Sequence, residues 1–436
     1  MKKTSRTVAV VAGGVALFVS SWGLAADWPQ WRGPNRDAKV SDFKAPQIWP
    51  KQLAQKWKVK VGAADATPAL VGDKLYVFSR DGADEVISCL DAATGKQVWQ
   101  DKSPAGATVG GPASGHPGPR SSPAVADGKV VTLGVGGIVS CLDVATGKVI
   151  WRNNEYKAVP RFSTAASPII VDGLCVVPLG GGGNGAVVAF DLATGKEKWK
   201  YAGEGPAYAS PVLLTADGVK QVVTMLERSV VGISMADGKL LWQLPAQTGG
   251  MGFYNAATPV VDGSTVYITG SGSGFKALKI EKKGDAFAAT EVWNNADYGT
   301  AFNSPVLKDN MLFAIDSSGK FFCVDAKDGK TLWSGAAVAA AGAAPAGGGM
   351  GGGGMGGRGG GMGRGGNNYG ALIDAGSVII ALPPNSELIA FKPDGKQYTE
   401  VARIKVAETP TFAFPVIAGS QVFVKDADSV AAYAFE

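Results

Sequence analysis

Cys89-Leu90-Asp91-Ala92-Ala93-Thr94-Gly95-Lys96-Gln97-Val98-Trp99 decides the fold, because it comes back. It returns as Cys141-Leu-Asp-Val-Ala-Thr-Gly-Lys-Val-Ile-Trp151, as Ala189-Phe-Asp-Leu-Ala-Thr-Gly-Lys-Glu-Lys-Trp199 and as Cys323-Val-Asp-Ala-Lys-Asp-Gly-Lys-Thr-Leu-Trp333. A weaker copy runs from Gly232 to Trp242. The repeated positions are therefore Asp91, Gly95 and Trp99, then Asp143, Gly147 and Trp151, Asp191, Gly195 and Trp199, Trp242, and Asp325, Gly329 and Trp333. Self-similarity at a fixed period of 20–50 residues marks units that cannot bury their own apolar faces and must stack.

Upstream of the copies stand Thr67-Pro68, Ser122-Pro123, Ser167-Pro168, Ser210-Pro211, Thr258-Pro259 and Ser304-Pro305, spaced by 55, 45, 43, 48 and 46 residues. Each unit reads as four short strands. The first begins at the Ser/Thr-Pro, where a proline sacrifices no central ladder bond. The Asp-x-x-Thr-Gly segment is a hairpin turn: Asp91 accepts turn amides and Gly95 supplies the positive φ. The tryptophan sits on the fourth strand and is predicted to pack against the next unit.

Six units run through Trp333, a seventh from about Gly370 to Ile404, and an eighth begins at Phe414-Pro415 but holds only three strands. Gln55-Lys56-Trp57-Lys58-Val59-Lys60 reads as the missing fourth strand, so the termini join inside one unit and close the ring. The fold class is all-β: an eight-bladed β-propeller of four-stranded antiparallel blades, filling residues 26–436 as one domain. Its rhythm is broken by a glycine-rich insert at 335–368, between blades six and seven, which cannot bury enough surface to fold.

Composition fits this. Of 436 residues, 62 are glycine and 18% are charged, which suits short strands joined by tight turns. The formal charge is +5, but Lys2, Lys3 and Arg6 account for three of those charges, leaving +2 for the rest. Such a body has no bulk affinity for nucleic acid, and the two Arg-Gly-Gly triplets of the insert lack the interleaved aromatics that RNA binding uses. A single histidine excludes multi-histidine metal sites. Residues 1–25 have a basic head, an apolar run from Val8 to Val19 and small residues at Gly23 and Ala25, the pattern of an export signal. The chain is expected to be periplasmic or secreted, with no cysteine at the cleavage site to carry a lipid. Cys89, Cys141 and Cys323 share a column with Ala189, Gly232, Ala277 and Ala390, so they read as small buried filler.

The Asp-x-x-Thr-Gly-Lys-x-x-Trp repeat resembles the tryptophan-docking motif of the PQQ-like, or quinoprotein-like, β-propeller family. Asp27-Trp28-Pro29-Gln30-Trp31-Arg32-Gly33-Pro34-Asn35-Arg36-Asp37 and Gly118-Pro119-Arg120-Ser121-Ser122-Pro123 resemble motifs of its exported, BamB-like members. The resemblance implies one of two activities. One is a scaffold or binding protein of the cell envelope, its partner a protein, a peptide or a small molecule at the channel mouth. The alternative is an alcohol or sugar dehydrogenase using PQQ with calcium. In several such dehydrogenases the quinone stacks on a disulfide of adjacent cysteines, and this chain has no Cys-Cys pair. No catalytic residue and no metal ligand is assigned.

Loops leading into the innermost strands gather on one face around the channel, and rigidly positioned loops are where binding residues tend to lie. The candidates there are Arg120, Arg161, Tyr208, Tyr254, Asn255, Tyr298, Asn303 and Tyr369, with His116, Phe162 and Phe302 beside them. Convergent aromatics with a few polar groups describe a ligand or peptide site. The competing reading is that the aromatics plug the channel. Arg120 and Arg161 can clamp a carboxylate or pair with Asp65 or other loop acids.

Overall fold

The computed structural model describes residues 27–110, 113–181, 184–246, 255–270, 272–338 and 369–435. The expected export signal and the glycine core of the insert lie outside them. The described strands form eight four-stranded antiparallel sheets, the expected propeller. Blade one is β2 (Ala69–Val71), β3 (Lys74–Asp81), β4 (Asp84–Asp91) and β5 (Gln97–Pro104), from the channel outward. Blades two to seven follow over residues 124–153, 169–202, 212–245, 260–295, 306–337 and 371–405. Blade eight takes residues 416–434 and adds β1 (Ala54–Lys60) as its outer strand, paired antiparallel from Ala54↔Ala434 to Lys60↔Ser429. The ring thus closes by joining the two ends of the chain, as the isolated Trp57 strand predicted.

The repeat earns its residues at the joints between blades. Asp91 Oδ1 accepts from the Thr94 amide (2.9 Å) and hydroxyl (2.7 Å), and Gly95 takes φ 73°. The Trp57 ring of blade eight lies on this turn, so close that a Cβ on Gly95 would sit 2.7 Å from a ring carbon. Its Nε1 donates to Ala92 O at 3.0 Å. Trp99, Trp151, Trp199 and Trp293 repeat the dock on Gly147, Gly195, Gly238 and Gly329 of the following blades. Their indoles donate to Val144, Leu192, Met235 and Ala326 carbonyls at 2.9–3.1 Å. Trp333 completes the set on Asp394 O. Glycine is required here twice over, for its positive φ and for the missing Cβ.

Two joints lack the dock. Trp242 turns back onto its own blade, over Gly232, and donates to Gln221 Oε1 at 2.7 Å. Blade five explains this: its outer hairpin, β20 (Gly274–Lys283) and β21 (Ala286–Asn295), is paired through Lys283↔Ala286 and offers no Asp-x-x-Thr-Gly turn. In blade seven the tryptophan column holds Ala402, opposite Ala390.

The Ser/Thr-Pro repeats have a second role, not seen in the spacing. The Thr67 amide donates to Ser122 Oγ, Ser122 to Ser167 Oγ, Ser167 to Ser210 Oγ, Ser210 to Thr258 Oγ1 and Thr258 to Ser304 Oγ, at 2.9–3.3 Å. The Phe414 amide closes onto Thr67 Oγ1. Each hydroxyl satisfies a buried amide of the preceding blade, making a belt that runs from blade eight through blade one to blade six. The prolines themselves stand one residue before the strands rather than at their first residue, as Pro68 before Ala69 shows. The insert also begins later than expected: β25 (Thr331–Ala337) runs through Gly335, and Val338 is buried in the core. Cys89, Cys141, Cys175 and Cys323 are free and buried.

Candidate functional site

Antiparallel blades put the loops that enter the inner strands on one face and the Asp-x-x-Thr-Gly turns on the other. At the centre of the loop face, four blades contribute aromatic rings. Phe302 and Tyr369 stack at 4.5 Å with 7° between their planes. Phe412 stands edge-on to Tyr369 at 5.4 Å and to His116 at 4.7 Å. Phe302 is 39% exposed, so the stack reaches solvent.

The polar groups of this cluster are largely committed to each other. His116 Nδ1 lies 2.7 Å from Asp65 Oδ2, so the carboxylate orients a histidine that stands 51 residues away in sequence. This partnership was not legible in the chain. Arg120 donates to Phe162 O and to His116 O, which leaves Asp65 to the histidine and not to the arginines. Burial pushes the Arg120 pKa down, and Asp65 opposes that shift. The Gly118-Pro119-Arg120 motif packs on the loop before blade one: a Cβ on Gly118 would overlap Ala63 O, and Pro119 O accepts the Asp65 and Ala66 amides at 3.0 Å.

Around this centre, Tyr208 OH accepts the Phe162 amide at 3.2 Å, and the exposed Arg161 lays its guanidinium over the Phe162 ring at 5.4 Å. Lys425, missed by sequence reading, is buried beneath the loops and donates to Asp426 O (2.6 Å) and Ala64 O (3.3 Å). Burial lowers its pKa to about 8. Nothing in its strand pattern marked it, because Gln421–Lys425 reads as an ordinary strand end. Of these three cations only Arg161 is exposed; Arg120 and Lys425 are held by backbone carbonyls.

Three candidates are not brought to this centre. Asn255 Nδ2 holds Leu226 O and Ala246 O, and Asn303 holds both the amide and the carbonyl of Ile315. Tyr298 bonds Ser334 Oγ and stacks on Phe322 at 5.1 Å, between blades five and six. Tyr254 lies outside the described residues. Among the described residues no three His, Cys, Asp or Glu side chains gather to hold a metal ion.

A sequence model of the family described as "Outer membrane protein assembly factor BamB" matches residues 37–212 and 83–335. The chain is 28% identical over 286 residues to the outer membrane protein assembly factor BamB of Xanthomonas campestris pv. campestris, covering 52% of this chain and 67% of that one. Among solved structures, BamB from Moraxella catarrhalis superposes with a TM-score of 0.61 at 14% identity, covering 88% of this chain and 98% of that one. The quinohemoprotein alcohol dehydrogenase of Comamonas testosteroni gives 0.67 at 14% identity, covering 94% and 80%. At such identities the structural likeness concerns the fold alone.

Proposed function

The chain belongs to the family described as outer membrane protein assembly factor BamB, and from that premise we propose that it is an envelope scaffold. It binds a partner protein or peptide on the loop face and acts outside the cytoplasm, where its relatives' name places assembly of the outer membrane. The observation that carries the reading is the part-exposed aromatic stack of Phe302 and Tyr369, with Arg120 and the exposed Arg161 on the same face. Aromatic and arginine side chains are the groups that anchor protein interfaces. Among the described residues no helix is long and apolar enough to cross a membrane.

The test has two arms. The native protein is titrated calorimetrically with PQQ and calcium, and saturable binding at one site per chain would overturn the scaffold reading in favour of the dehydrogenase. In the organism itself, deletion is expected to lower the amount of folded β-barrel protein in the outer membrane. Phe302→Asp with Arg161→Glu is expected to reproduce that loss at an unchanged unfolding midpoint. Full complementation by this variant removes the loop face from the function.

A further inference from the structure

Residues 27–42 cross the channel, burying Trp28, Arg32, Arg36, Ala38 and Val40 and leaving Pro34, Asn35, Lys39 and Ser41 exposed. Both ends are pinned on the turn face, where Asp27 Oδ1 accepts the Gly72 amide (2.8 Å) and Asp42 Oδ2 accepts the Gly419 amide (2.9 Å). Between these pins the segment reaches every blade. Trp28 exchanges two backbone hydrogen bonds with Leu70 of blade one, and Pro29 O accepts the Val125 amide of blade two. At its far end two arginines stand buried, Arg32 fully and Arg36 at 3% exposure. No carboxylate is within ion-pairing distance of either in the described residues. Their guanidinium groups rest mainly on backbone carbonyls: Arg36 on Ser167, Pro168 and Pro211, with its Nε on Gln30 Oε1, and Arg32 on Pro305 at 2.7 Å and on Arg36 O, its Nη1 having no partner among the described residues.

Those carbonyls are available for a topological reason. Each inner strand has no neighbour on the channel side, so its outermost carbonyls point at the axis and converge there as a ring of acceptors. A guanidinium, with five donors in a fixed plane, is the side chain that matches such a ring. A second observation is the backbone of the segment. Arg32, Arg36 and Ala38 take φ of 61°, 58° and 58°, a region that non-glycine residues rarely adopt. Local preference opposes this shape, so the channel imposes it.

The segment also crosses the two joints that lack a tryptophan dock. Arg36 and Trp31 bridge blade four at Pro211 and blade five at Thr258. Val40 and Asp42 bridge blade seven at Asp374 and blade eight at Gly419. We propose that the channel is a receptor for an arginine-bearing peptide, filled in cis by residues 27–42, which thereby clasp the ring across these two joints.

The test cuts the folded chain. A protease site is placed at Ile48, which is 88% exposed in the linker to β1, and the full-length protein is nicked after folding. The freed segment is expected to stay bound through size exclusion and to exchange slowly with a labelled peptide of residues 27–43. A peptide with citrulline for both arginines keeps the shape and loses the charge, and is expected to compete at least about 30-fold more weakly. Uncut protein is expected to take up no peptide. Release of the segment on cutting with an unchanged unfolding midpoint, or equal competition by the citrulline peptide, overturns the proposal. Arg36→Lys in the uncut chain gives an independent reading: its midpoint is expected to fall and labelled peptide to gain access, and an unchanged midpoint counts against the clasp.

Discussion

Trp199 and Trp242 occupy the same column of successive repeats, and both are buried, at 7% and 4% exposure. Trp199 reaches across to blade four, lying on Gly238 and donating to Met235 O. Trp242 folds back on its own blade and donates to Gln221. The residue is the same and the strand is the same; the difference lies in the receiving blade. Blade four presents a tight turn with a glycine at φ 73°, whereas blade five continues as an uninterrupted hairpin. A docking side chain is thus half of an interaction, and its acceptor decides where it goes.

The largest way to break this comparison is Trp199→Ala. Truncation of a buried tryptophan costs about 3–5 kcal/mol, and hydrogen exchange is expected to quicken at Met235–Gly238 in the next blade. Trp242→Ala is expected to cost a similar amount, with faster exchange in blade four's own strands and at Val266 and Ile268 of the same buried cluster, but not at the Lys283–Ala286 turn. Quickening at that turn would erase the distinction between the two joints.

Gly147→Ala sharpens it from the acceptor side. The new methyl would stand 2.5 Å from the Trp99 ring at a φ of 71°, so overpacking adds to backbone strain. The expected loss in urea denaturation is about 2–4 kcal/mol. Gly128→Ala is the control: its φ is 70° but nothing lies within 4 Å, and a loss of about 1 kcal/mol isolates the backbone contribution. Equal losses at the two glycines would deny the dock its steric basis.

Ser167→Ala leaves the Ser122 amide without its acceptor and is expected to cost about 1–3 kcal/mol, at a joint whose tryptophan dock stays intact. A loss within error would mean that water replaces the belt hydroxyl.

The fourth effect is a slope with pH. Glu85, buried at the joint of blades one and two, accepts the Val135 amide at 2.8 Å, and burial raises its pKa from 4.5 to about 7. The folded state therefore holds a proton that the unfolded state releases between these values. Stability is expected to fall as pH rises from about 4.5 to about 7 and then to level off. Glu85→Gln is expected to flatten that slope in chemical denaturation at fixed pH values, and an unchanged slope would assign it to another group.

Much of this was readable because it repeats. The Asp91, Gly95 and Trp99 column, the eight-unit count and the closing strand at Trp57 each follow from local chemistry copied at a near-constant interval. Trp293 escaped, since its blade replaces the repeat turn with the long hairpin and the pattern breaks there. Arg120, Arg161, Tyr208 and Tyr369 lie on the loop face because each precedes an inner strand. Asn255 and Asn303 occupy such positions too, but nearby backbone groups claim their amides first.

By itself the sequence determined the blade, its turn and the number of copies, because hairpins are local and short-range hydrogen bonding fixes them. Only the tertiary structure decided which residues meet at the axis. Asp65 with His116 and Phe302 with Tyr369 come from loops of different blades, Arg36 reaches Pro211 from the N-terminal segment, and closure of the ring alone brings them together. A periodic sequence specifies each blade to its neighbour, whereas the channel is a property of all eight.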